Sequence, residues 1–207
     1  MKAFQVTRRS LCARAGLRFI SGLAMNSRVA EIPVLQTERL ILRPHRLSDF
    51  EASLAMWTDP EVVRFIGGKP STEQQAWGRM MNYLGHWQLM GYGYWCVEEK
   101  ASSLLVGEFG FADFRREITP SIRGIPELGW ALNSRVHRRG YATEGLRAVM
   151  NWGDANLPIA RSVCLIDPEN LPSFKVAARL GFKELTRTSY SGKPIALLSR
   201  ERSARRA

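Results

Sequence analysis

The stretch Asn133-Ser134-Arg135-Val136-His137-Arg138-Arg139-Gly140-Tyr141-Ala142-Thr143-Glu144-Gly145 decides how this chain folds. An apolar run, Pro126 to Leu132, leads into it and reads as a strand. A long helix follows from about Gly140 to Asn156, with Leu146, Val149, Met150 and Gly153 on one face. Between strand and helix lie glycine, small residues and arginines. Such a turn leaves successive backbone N–H groups unobstructed, while the helix dipole and the arginines add positive charge, so a diphosphate suits it. The chain is expected to use a phosphate-bearing cofactor.

Outward from this turn, strand-type and helix-type patterns alternate. Leu40 to Arg43 reads as a short strand stopped by Pro44. Ser48-Asp49-Phe50-Glu51 has the pattern of a capping box opening a helix through Met56, and Ser71-Thr72-Glu73-Gln74 caps a longer one to about Met90. Gly93 to Glu98 and Leu104 to Phe114 read as strands, as do Ser162 to Ile166, Lys183 to Arg187 and Ile195 to Ser199; Leu171 to Leu180 is a helix closed by Gly181. This order predicts an α+β, three-layer α/β/α architecture. No G-x-G-x-x-G follows the first strand and no G-x-x-x-x-G-K-[ST] occurs, which disfavours a dinucleotide fold and triphosphate hydrolysis.

The length of 207 residues fits one domain, and the net charge of +11 sits mostly at the two ends. Residues 1 to 30 hold Lys2, Arg8, Arg9, Arg14, Arg18 and Arg28 without an acid; residues 200 to 207 hold Arg200, Arg202, Arg205 and Arg206 against Glu201. The body is left near neutrality, which argues against a specific nucleic-acid groove. Residues 1–32 are expected to be a basic extension, either an over-extended reading frame upstream of a start at Met25 or a leader. Residues 33–199 are expected to be the domain and 200–207 a basic tail. Cys12, Cys96 and Cys164 form no CxxC pair, and no apolar run approaches membrane-spanning length, so a cytoplasmic protein without membrane contact is expected. His45, His86 and His137 have no ligand spacing, and no metal site is expected.

Five segments together resemble the GNAT acyl-CoA N-acyltransferases, and within them the branch that includes ribosomal-protein N-terminal acetyltransferases. They are Thr37-Glu38-Arg39-Leu40-Ile41-Leu42-Arg43, Asp59-Pro60-Glu61-Val62, Glu127-Leu128-Gly129-Trp130-Ala131-Leu132, Arg139-Gly140-Tyr141-Ala142-Thr143-Glu144, and Asn170-Leu171-Pro172-Ser173 with Leu180-Gly181-Phe182. The likeness runs from about Leu35 to Ser199. It implies a twisted, mixed and mostly antiparallel sheet splayed between its fourth and fifth strands. It also implies acetyl-CoA (coenzyme A) as cofactor, with the pantetheine arm along Ala131, Leu132 and Asn133. The diphosphate would then lie on His137, Arg138, Arg139, Gly140, Tyr141, Ala142 and Thr143. His137 departs from the glutamine or arginine usual at the first motif position.

The chemistry that the resemblance implies needs a proton acceptor for the amine, donors for a tetrahedral oxyanion and help for the departing thiolate. Glu127 is the candidate base, acting directly or through water, against the plainer alternative of a strand carboxylate. The tyrosine many family members carry seven residues after the motif asparagine is Ala177 here, so Ser173 is the substitute donor to sulfur. Asn170 caps the helix and, by resemblance, contacts the pantetheine; the Leu132 N–H is the oxyanion donor. The aromatics Trp57, Phe65, Trp77, Trp87, Tyr92 and Trp95 either wall the amine site or form plain core. The acceptor is a small-molecule amine or a protein N-terminal amine, and the protein a monomer or homodimer. The alternative functions are an acyl-CoA-binding sensor without turnover and a ribosome-associated module.

Overall fold

The structure is a computed structural model, and it describes residues 31–202. The expectations for Met25, for Cys12 and for most of both basic ends therefore lie outside the described residues. The strands are β1 (Leu35–Gln36), β2 (Leu40–Arg43), β3 (Tyr94–Glu99), β4 (Leu104–Ala112), β5 (Glu127–Leu132), β6 (Arg161–Ile166), β7 (Lys183–Tyr190) and β8 (Lys193–Glu201). The helices are α1 (Phe50–Thr58), α2 (Pro60–Val63), α3 (Glu73–Met90), α4 (Tyr141–Asn156) and α5 (Leu171–Arg179). The strands form one sheet in the order β1-β2-β3-β4-β5-β6-β8-β7.

Every neighbouring pair is antiparallel except β5 and β6, which run parallel and share the single bridge Glu127↔Val163. Beyond that bridge the two strands diverge, so the sheet is forked. Without the two-residue edge strand β1, the fork falls between the fourth and fifth strands. Parallel strands need a long crossover, and α4 supplies it, packing Leu146, Val149 and Met150 into the main core with Phe109, Phe111 and Leu128.

Two expectations at element ends are corrected. Asp49 and Glu51 do not form the cap expected from Ser48: Asp49 is buried and receives both terminal nitrogens of Arg43, at 2.7 and 2.8 Å. The same carboxylate accepts the Arg46 N–H at 2.7 Å, so Asp49 closes the turn before α1 as well as pairing with the guanidinium fork, and the cap lies off Ser48. Arg200 and Glu201 are not tail but the end of β8, where Arg200 grips Asp154 of α4 through two bonds of 2.8 and 2.7 Å. At the other boundary Ile32, assigned to the extension, packs against the core.

Strand alternation gives the sheet two chemically different faces. One carries Trp95, Val97, Phe109, Phe111 and Leu128 toward α4. The other carries Tyr94, Cys96, Glu108, Glu127 and Gly129, and it meets α1, α2 and α3 at Ser53, Trp57, Met56 and Tyr83.

Candidate active site

The turn that opened the sequence reading forms as expected. After β5, residues Ser134–Val136 make one 3-10 turn and α4 begins at Tyr141, with Gly140 as its N-cap at φ 82°. Arg138 is also left-handed, at φ 64°. Among the described residues the N–H groups of Arg138, Arg139, Gly140, Tyr141, Ala142 and Thr143 donate to no other residue; the first helical bond is Glu144 N–H to the Gly140 carbonyl. A helix N-terminus with this many free donors fits a diphosphate. Glycine is needed at 140 for its φ rather than for space, since a Cβ would meet only the tip of Arg39 at 3.5 Å.

Residues distant in sequence hold this turn in shape. The Glu144 carboxylate accepts the Thr37 hydroxyl at 2.6 Å, the Arg39 N–H at 2.8 Å and the Arg39 guanidinium at 2.6–2.7 Å. Burial pushes the pKa of Glu144 up, but these bonds outweigh it and the net direction is downward. Arg39 also donates to the Arg139 carbonyl at 3.0 Å and stacks on the Tyr141 ring, whose hydroxyl donates to Glu99 at 2.6 Å. Thr37 and Arg39 stood in a family-like segment with no role assigned. Only the pairing of β2 beside α4 reveals their work.

The backbone of β5 is divided by parity. Asn133 N–H donates to the Val106 carbonyl, and Val163 N–H donates to the Pro126 carbonyl. Odd residues therefore turn their main-chain groups toward β4, and even residues turn theirs toward the fork. Of the three residues expected beside the pantetheine arm, one, Leu132, turns its main-chain groups toward the fork. Ala131 and Asn133 are used by β4, and Trp130 and Leu132 are the residues whose N–H and C=O face the opening. The Leu132 carbonyl lies 3.0 Å from His137 Nε2. Asp59 ties the other wall to this strand end: one carboxylate oxygen caps α2 through Glu61 N–H, and the other accepts the Ser134 hydroxyl.

Glu127 begins β5 and is 5 % exposed, with its oxygens bonded to Arg116 at 2.6 and 2.8 Å. Arg116 in turn lies over the rings of Phe114 and Tyr190. Each Glu127 oxygen keeps one further lone pair. Asn170 caps α5, its side-chain oxygen accepting Ser173 N–H at 3.2 Å, so Ser173 stands in the first turn after β6, half-buried.

The aromatics divide in a way their spacing could not foretell. Trp87 and Trp95 join Trp152 in edge-on contacts of 4.6 to 5.3 Å and, with Tyr92, belong to the α4-side core. Trp77 leans on Phe50, and Phe65 faces Arg64. Of the six, Trp57 lies on the Glu108 face, donating to Glu108 at 2.8 Å beneath the Arg79 guanidinium. Sequence reasoning missed Glu108, Tyr83 and Tyr94, because a carboxylate inside an apolar strand run gives no periodic signal. The three histidines lie apart: His45 beside Glu108 and Tyr83, His86 against Phe114, and His137 at the end of β5.

Residues 39–183 match the acetyltransferase (GNAT) domain family. The chain is 33 % identical to a GNAT-family acetyltransferase from Bordetella pertussis, which it superposes with a TM-score of 0.73 over 82 % of this chain and 99 % of that one. It is also 28 % identical over 151 residues to the N-acetyltransferase p20 of Bacillus licheniformis, covering 72 % of this chain and 82 % of that protein. A ribosomal L7/L12 alpha-N-protein acetyltransferase solved with coenzyme A shares the fold at 15 % identity and a TM-score of 0.67. The family match, borne by a forked sheet whose splay ends in a donor-rich helix start, makes the chain an acyltransferase of the N-acetyltransferase class. The chain belongs to the GNAT acetyltransferase family.

Proposed function

We propose that this enzyme moves an acetyl group from acetyl-CoA to a primary amine, by direct transfer while both substrates are bound. The observation that carries the reading is the fork itself. It leaves the main-chain groups of Trp130 and the N–H of Leu132 unpaired beyond one parallel bridge, on a strand leading straight into the free N–H groups of residues 138 to 143. Bound there, acetyl-CoA supplies the activated thioester. Trp130 and Leu132 offer strand-like bonds to an extended arm, and the Arg138 to Thr143 turn holds the phosphates.

The opposite face serves the amine. Glu127 accepts the amine's proton through water, using the lone pairs Arg116 leaves free. The Leu132 N–H, or that of Trp130, meets the developing oxyanion. Ser173 donates a hydrogen bond to the departing sulfur, and Asn170 fixes the turn that carries it. Direct transfer is supported by the cysteines, since Cys96 and Cys164 are buried and burial pushes both thiols far up, away from nucleophilic thiolates. The acceptor is a protein N-terminal amine or a small amine.

Thiol release from acetyl-CoA, measured against a panel of amines and N-terminal peptides, tests this directly. At least one amine should release thiol in proportion to acetylated product; coenzyme A binding with no turnover across the panel would leave a binding module. Glu127→Gln should lower turnover and move the pH profile upward at unchanged coenzyme A affinity. An unaltered profile removes Glu127 as base.

A further inference from the structure

Tyr94 has no part in the scheme above, yet the sheet is shaped around it. It opens β3 opposite Gly110 of β4, and Gly110 stands opposite Gly129 of β5, so the three share one row across three strands. The ring stacks on Tyr83 at 4.3 Å and 4° and leans on Phe114 at 6.2 Å. It crosses β4 where the glycine gives no side chain, and its hydroxyl occupies the place a Cβ on Gly129 would fill. Glycine inside a strand costs stability. At Gly129 the missing side chain makes room for the hydroxyl, and at Gly110 it admits the close approach of the Gly93 carbonyl and the Tyr94 Cα.

The hydroxyl has no hydrogen-bond partner among the described residues, and it is not one of the buried polar atoms left unsatisfied, so although the residue is 6 % exposed its oxygen keeps access to the opening. An accessible phenol oxygen takes water or a ligand as its partner. Its location suggests what the partner is. Gly129 directly precedes Trp130, whose N–H is the first unpaired amide past the bridge at Glu127, and Glu127 lies two residues back on the same face. Along a strand, two residues span about 7 Å, whereas Glu127 and Leu132 are separated by about 17 Å. One bridging water reaches about 5.6 Å between oxygens, so side chains sharing a face can close the first gap by leaning together, and the second is out of reach.

We propose that the Tyr94 hydroxyl relays the amine's proton to Glu127 during acyl transfer, a catalytic role that rests on the acetyltransferase reading above. The amine lone pair forms the new N–C bond as the carbonyl π pair moves onto oxygen. The surplus N–H proton passes to Tyr94 Oη while the Oη proton passes, directly or by one water, to the Glu127 carboxylate. The oxygen pair then re-forms the carbonyl, the C–S bond breaks, and its electrons leave on sulfur, which takes a proton from solvent. The phenol is neutral before and after. That suits its surroundings: burial, then the Glu127 charge, push its pKa far up against the opposing pull of Arg116 and Arg79.

Steady-state kinetics on three variants test this with the full-length enzyme. Tyr94→Phe should lower kcat by about 10²-fold, the scale of general acid–base catalysis, at unchanged coenzyme A affinity. Its rate should lose the dependence on Glu127, so that Tyr94→Phe/Glu127→Gln is no slower than the slower single variant. Gly129→Ala, whose methyl displaces the hydroxyl, should reproduce the kinetic loss, and adding Tyr94→Phe should recover part of its thermal stability by removing the oxygen, the ring carbon at 3.0 Å still having to shift. Wild-type turnover in Tyr94→Phe, or multiplying effects in the double variant, overturns the relay while leaving the acetyltransferase reading intact. A wild-type protein that binds coenzyme A and acetylates no amine overturns that reading, and the relay with it.

Discussion

The two sides of β5 are built on opposite principles. Toward the fork and α4 the site is main chain: unpaired amides of Trp130 and Leu132, then the free N–H groups of a turn whose shape is set by two left-handed residues. Toward α1 and α3 it is side chains brought from far apart in sequence, with Glu108 accepting Ser53 at 2.6 Å and Trp57 at 2.8 Å, and Glu127 held by Arg116. A backbone site tolerates almost any side chain and resists substitution except where φ is special. A side-chain site is chemically specific, and removing one partner strands another. In the proposed function, cofactor and acceptor divide along this line.

The comparison predicts that substitutions on the side-chain face cost stability, while those at the turn cost binding. The largest effect is expected from Arg116→Ala, which leaves Glu127 buried without its cation. Equilibrium denaturation should fall by about 3 kcal/mol, the low end for a broken buried pair because Arg116 retains 22 % exposure. A loss confined to turnover would show that the pair is not structural. Next comes Gly140→Val, which forces a β-branched residue to φ 82° at a cost of about 1–3 kcal/mol. Calorimetry should register that as a 10-fold or greater loss of coenzyme A affinity; unchanged affinity would remove the turn as the phosphate site.

Acid titration sharpens the contrast further. Burial pushes Glu108 and Asp49 up, but the His45 imidazole with Ser53 and Trp57 in one case, and Arg43 with the Arg46 N–H in the other, pull both below their ordinary values. A depressed folded-state pKa stabilises above the unfolded value of about 4 and loses that contribution as pH falls through the folded value. Stability should therefore be level above about pH 5 and drop below 4, less steeply in Glu108→Gln than in wild type. The smallest effect is expected at Lys193, whose ammonium reaches 2.9 Å to the Gly67 carbonyl and joins the β8 start to the loop after α2. Lys193→Ala should leave the melting temperature and coenzyme A affinity unchanged and alter only the amine KM.

The local and periodic features were legible in the chain. Strand-turn-helix order around Gly140, the Thr72 cap of α3 and the Asn170 cap of α5 are set by residues within a few positions of one another. The failures were non-local. Ser48 read as a cap and is not one, because its neighbour Asp49 pairs with Arg43; Trp87 and Trp95 read as possible acceptor walls and became core behind the sheet. In both cases the deciding neighbour comes from another strand or helix.

The sequence by itself determined that a strand would hand over to a donor-rich helix start within an α+β order of elements, because glycine and amphipathic spacing act at short range and need no partner. The tertiary structure alone decided which amides of β5 stay free, which carboxylates are buried with which cations, and that one tyrosine lies across two glycines to reach the fork. Register is a property of pairs of strands. Until β3, β4 and β5 are aligned, nothing in the order of their residues says that Tyr94 and Gly129 meet.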